Sequence, residues 1–189
     1  RRKPSPNGPT KWSLIRTFES AGLLSSRERA IDFLTFALSL TLYVVTTAPD
    51  LLPADSGEFQ IVAPLLGVAQ PPGYPLYTML GRLFTWLIPF GTVAYRLNLM
   101  SAFLAAGTLT LIGAATRQWA RHLSVPAMEA RVGGLATVIA LATATTFWSQ
   151  ASVANIRMPT VFFAALGLYA LARYAIAQDR IQADRSLGL

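Results

Sequence analysis

The chain has 189 residues, of which 53% are hydrophobic and only 13% charged, with a mean hydropathy of +0.44. Soluble domains carry about 25% charged residues, so the composition argues against a water-soluble domain and for a membrane protein. Cysteine is absent, which excludes a disulfide framework, a thiolate metal site and a cysteine nucleophile. The net charge of +7 comes from Lys and Arg grouped at the ends of apolar segments. That placement is a topology signal rather than a nucleic-acid footprint, so no nucleic-acid partner is expected.

Residues 1–29 are polar and basic and read as a cytoplasmic tail, with a short amphipathic helix around Trp12 to Phe18 on the headgroups. The stretch is too long and too polar to open an ordinary cleaved signal peptide. The first residue is Arg1, which fits an excerpt of a longer chain. From Ala30 to Ala48 the sequence is apolar and uncharged after Asp32, enough to cover most of a ~30 Å hydrocarbon core. Pro49 ends that span, and Asp50, Pro53 and Gly57 mark an irregular loop. Leu76 to Ile88, bracketed by Pro75 and Pro89, is too short to cross and reads as a helix lying along the membrane surface.

A second span runs from Leu97 to Thr116. Arg117, Arg121, His122, Glu129 and Arg131 then form a short polar connection. A third span starts at Val132 and ends near Phe147 and Trp148, an aromatic pair suited to the headgroup level. A fourth runs from Pro159 to about Ala177. The expected fold is therefore an all-α membrane protein with about four transmembrane helices and one interfacial helix. Its parts are a tail at 1–29, a transmembrane module at 30–177 with an outer loop at 49–95, and a second cytoplasmic tail at 178–189. With the N-terminus inside, thirteen of the sixteen basic residues lie on the cytoplasmic side, leaving Arg82, Arg96 and Arg157 outside. The same orientation puts Asp55 and Glu58 outside.

Asp55 and Glu58 are three apart and share a helix face. Asp-Ser-Gly-Glu is also a capping box, in which Asp55 caps and Glu58 reaches back to its amide. Both readings stand, because one carboxylate can cap while the other faces a cleft. A catalytic reading needs a general base and a cation for a leaving group, and Arg96 and Arg157 at the mouths of two spans suit phosphate oxygens. The alternative for each arginine, and the favoured one for Arg82, is an interface anchor. Tyr74 and Tyr77, beside the rigid Pro71-Pro72-Gly73-Tyr74-Pro75 turn, could line a sugar or lipid site. The aromatic belt is the plainer expectation for them. Gln150 and Asn155 face the same side and could hydrogen-bond a substrate. A transporter is disfavoured because no span shows a mid-membrane acid or a broken helix.

Four runs in order carry a resemblance: D-S-G-E-F, A-Q-P-P-G-Y-P-L-Y-T-M-L-G-R-L-F, P-F-G-x-x-x-Y-R-L-N-L-x-S-A and F-W-S-Q-A-S-V-A-N. Over roughly Thr46 to Phe163 the chain resembles transmembrane proteins grouped with protein O-mannosyltransferases in the GT-C glycosyltransferase superfamily. The resemblance implies a GT-C-like N-terminal module using a polyprenyl-phosphate-linked sugar, with mannose the expected sugar and an extracytoplasmic protein or glycan as acceptor. It implies Asp55 as the catalytic carboxylate with Glu58 as its partner, and Gln70, Tyr74, Arg96 and Arg157 as substrate-binding residues. A divalent ion is a conceivable cofactor, although no metal-ligand cluster is visible. Gln70 departs from the pattern, which leads one to expect histidine there. Length departs as well, since the chain corresponds to the first third of such an enzyme at most. The implied location is a multi-pass membrane protein, expected in a bacterial plasma membrane. The alternative function is a non-catalytic membrane scaffold or lipid-binding subunit.

Overall fold

A computed structural model describes residues 11–53, 55–69, 71 and 73–186, with side chains placed within 26–176. Among the described residues the architecture is all-helical. α1 (Lys11–Thr46) and α2 (Asp55–Leu65) are joined by a loop in which Pro49 and Pro53 interrupt the helix. α3 (Pro75–Leu87) follows with proline at its first position, then α4 (Val93–His122), capped by the Thr92 hydroxyl on the Tyr95 amide at 3.1 Å. α5 (Ala127–Thr143), α6 (Thr145–Ala151) and α7 (Arg157–Ser186) complete the chain.

α4 is the central element and packs against α1, α5 and α7. Two-thirds of its apolar window (67%) is buried, against 11% for α1 and 17% for α7. The outer helices therefore turn Phe33, Leu34, Leu38, Leu166, Leu168 and Leu171 outward. Apolar surface on that scale is stable only against lipid or further protein. Three helices are long and apolar enough to cross a membrane, or four if α5 and α6 form one broken span, so the chain is a multi-pass membrane protein.

Three sequence expectations change. α1 is one helix from Lys11, so the stretches read as tail and first span are continuous in backbone; the side chains around Trp12 to Phe18 lie outside the described residues. The third span is not straight: α5 and α6 meet at a 70° bend, so a broken helix is present after all. No proline marks the break. The β-branched residues Thr143, Thr145 and Thr146 are poor helix formers around the extended Ala144. The Tyr43 hydroxyl donates to the Ala142 carbonyl at 3.1 Å, pairing a backbone group near the end of α5. Phe147 and Trp148 consequently pack against Tyr43, with centroids 6.1 and 6.0 Å away, instead of standing in an aromatic belt. Lastly, Arg117 is no part of a polar connection. It is buried in α4, paired with Glu28 at 2.9 Å and with Asp32, while Arg131 also holds Glu28 at 3.0 Å.

Candidate active site

The loop-to-helix turn at Asp55 is built around a glycine. A Cβ on Gly57 would collide with the Leu52 carbonyl oxygen, so D-S-G-E needs its glycine for the loop to fold back against α2. Asp55 is the first residue of α2, and both Asp55 and Glu58 sit in its first turn, where the helix dipole favours acidic groups. Asp55 is exposed and Glu58 half-buried. Gln60 is five residues past Asp55, which turns it about 140° around the helix. Its side chain is accordingly buried while Asp55 faces out.

Gln60 and Asn98 are the residues that sequence reasoning missed. Asn98, 0% exposed in α4, accepts from Gln60 Nε2 at 2.8 Å and from the Ala154 amide at 2.8 Å. Its own Nδ2 donates to the Ala48 carbonyl at 2.9 Å, and Gln60 Oε1 accepts from the Leu52 amide at 3.0 Å. A backbone bond from the Ala48 amide to the Ser152 carbonyl at 3.1 Å closes the set. The end of α1, the first turns of α2 and the α6–α7 loop are thereby drawn together at one end of the bundle. The only sequence signal was a single amide inside each of the apolar runs E-F-Q-I-V and R-L-N-L-M.

The arginines separate by role. Arg96 donates to three backbone carbonyls, Phe90 at 3.1 Å, Thr85 at 2.9 Å and Gly91 at 3.2 Å, and so pins the α3–α4 loop. These contacts give it a structural job at the start of α4. Arg82 donates to the Pro64 carbonyl at 2.7 Å and closes the end of α2, so it does more than anchor an interface. Arg157 is exposed at the mouth of α7, with one nitrogen 3.0 Å from Gln150 Oε1. Asn155 serves α7 itself, accepting from the Met158 amide at 3.0 Å and donating to the Gln150 and Val153 carbonyls.

Tyr74 takes a left-handed backbone (φ 41°) before α3 and lays its ring edge-on to Phe59 of α2, 5.9 Å away. Tyr77 lies 4.7 Å from the same ring and is buried, so it does not stand in an aromatic belt. Burial pushes its phenol well above the usual tyrosine range, which keeps it protonated throughout the physiological span. The turn carrying Tyr74 is therefore docked onto the acidic helix. Gln70 lies outside the described residues.

The family model described as the protein O-mannosyl-transferase TMEM260 N-terminal domain matches residues 55–189. The chain belongs to that family. It is 44% identical over 77 residues to "Protein O-mannosyl-transferase TMEM260" of Mus musculus, covering 41% of this chain and 11% of that protein. It is 37% identical over 86 residues to "Protein O-mannosyl-transferase tmem260" of Dictyostelium discoideum, covering 44% of this chain and 10% of that one. The matched part thus spans about a tenth of each of these TMEM260 relatives. Both are eukaryotic, which gives no support to a bacterial plasma membrane. No solved structure matches the chain at a significant level. The TMEM260 family match opens at Asp55, so the acidic turn, Gln60, Asn98 and the mouth of α7 all fall inside it.

Proposed function

We propose that this chain is the N-terminal module of a GT-C membrane glycosyltransferase that moves mannose from a polyprenyl phosphate to a hydroxyl group on a protein. The reading is supported by the family match beginning at Asp55, together with the hydrogen bonds that tie α2, through Gln60 and Asn98, to the loop entering α7. The basic-residue bias favours a cytoplasmic N-terminus, with the Asp55 end of the bundle on the opposite side, where a lipid-linked donor would present its sugar.

In this mechanism Asp55 accepts the proton of the acceptor hydroxyl as that oxygen attacks the anomeric carbon of the sugar. The bond from the anomeric carbon to the phosphate oxygen breaks, and its electron pair leaves with the polyprenyl phosphate. Attack opposite to departure inverts the anomeric configuration. The exposed Arg157 guanidinium meets the departing phosphate oxygens, while Glu58 orients the acceptor from the helix face it shares with Asp55. Among the described residues no three of His, Cys, Asp and Glu gather in one group.

The test uses the full-length protein, mannose on a polyprenyl phosphate and a Ser/Thr-bearing acceptor peptide. Transfer giving a product of inverted anomeric configuration is expected. A retained configuration would overturn the single-displacement step. Complete absence of transfer, with the folded protein capturing the donor, would favour a lipid-binding subunit instead.

A further inference from the structure

We propose that Asn98 is a positioning residue, whose buried carboxamide holds the Asp55–Glu58 turn and the Arg157 mouth of α7 as one unit. Its functional half rests on the glycosyltransferase reading above; the coupling of the two segments does not.

A buried amide among apolar neighbours is costly unless its polar atoms are paired. Leu97, Leu99 and Met100 show what α4 otherwise places at this depth. Asn98 departs from them, and each of its bonds goes to a different segment. The Ala48 carbonyl belongs to the chain leaving α1, the Ala154 amide to the chain entering α7, and the Gln60 amide to α2 itself. None of these is a contact within α4, so the side chain adds nothing to its own helix. It serves three elements at once.

The consequence is geometric. Residues 47–53 and 153–156 are irregular, and their positions depend on where their backbone groups are bonded. The acidic turn begins two residues after 53, and Arg157 follows Asn155 by two. Without Asn98 the Ala48 carbonyl, the Ala154 amide and one Gln60 donor lose their shared partner, and the backbone bond from Ala48 to Ser152 is left to hold the two segments against small relative shifts. A displacement of about 1 Å between a base and a leaving-group cation can lower turnover by about 10²-fold.

The experiment uses the full-length protein with Asn98→Ala, Gln60→Ala and the double variant, reading amide hydrogen exchange alongside kcat and KM for the donor. In Asn98→Ala, residues 48–60 and 150–157 should lose protection together, by roughly tenfold or more, while the middle of α4 keeps its own. The kcat should fall by about 10²-fold with donor KM changed by less than about threefold. Gln60→Ala, which spares the Ala48 and Ala154 bonds, should loosen residues 48–60 alone. The double variant should match Asn98→Ala over residues 150–157, because Gln60 bonds toward that segment through Asn98, and should be looser over 48–60, where the Leu52 bond is also lost. If Asn98→Ala does not fold, the confined loosening in Gln60→Ala, with a fall in kcat, carries the test. Uniform loss of protection along all helices, or an unchanged kcat per folded molecule, would overturn the proposal. If the wild type transfers no sugar, the glycosyltransferase reading fails, and the exchange pattern alone then decides the coupling.

Discussion

The two ends of this bundle are fastened by opposite chemistry. At one end, neutral amides of Gln60 and Asn98 bond mainly to the backbone of neighbouring segments. At the other, Arg117 and Arg131 pair with Glu28 and Asp32 across α1, α4 and α5. There the helices approach closely: a Cβ on Gly134 would lie 2.6 Å from the Cγ of Arg117, and one on Gly113 would lie 2.7 Å from Cγ2 of Val138. Amides fix loops in place without adding a charge that would disturb a nearby base. Buried ion pairs fix helices, at a desolvation cost that is recovered only while every partner is present. On the proposed mechanism the Asp55 end carries the chemistry, while the Arg117 pairs clasp α1, α4 and α5 in register.

That contrast can be broken from the clasp side first. Arg117→Met takes from half-buried Asp32 its ion-pair partner and leaves half-buried Glu28 to Arg131 alone, and should cost about 3 kcal/mol, seen as a lowered unfolding temperature in detergent. Transfer per folded molecule should be unchanged. A fall in transfer without a fall in stability would erase the distinction between the two ends. Gly134→Val should cost less, about 1–3 kcal/mol, by forcing α5 off α4 where the new side chain meets Arg117 and the Gly113 carbonyl. The smallest effect belongs to Arg82→Ala, which removes one bond to the Pro64 carbonyl and should cost about 0.5–1.5 kcal/mol. Hydrogen exchange should place that loss in the last turn of α2, leaving α4 protected.

The fold was legible where it is written in runs of residues. Apolar stretches located α1, α4 and α7, and the bracketing prolines located α3 to within a residue at each end. The break at Ala144 was not legible, because threonines weaken a helix without stopping it, and the Tyr43 hydroxyl that meets the Ala142 carbonyl comes from 99 residues away. Arg117 looked like a charge flanking a span, since neither Glu28 nor Asp32 is near it in sequence. Of the candidate site, the acidic turn could be read directly from D-S-G-E. Gln60 and Asn98 could not, because a lone amide in an apolar run gains meaning only from a partner that tertiary structure brings to it. Arg96 could be placed at the mouth of a span, but not the three carbonyls that occupy it.

The claim on which the account turns is that Asp55 takes a proton during sugar transfer. Its most direct test is the transfer rate per folded molecule of full-length Asp55→Asn, beside wild type, with mannose carried on a polyprenyl phosphate. The account predicts a loss on the order of 10²–10⁴-fold with an unchanged unfolding temperature. Transfer at the wild-type rate by that variant would contradict it.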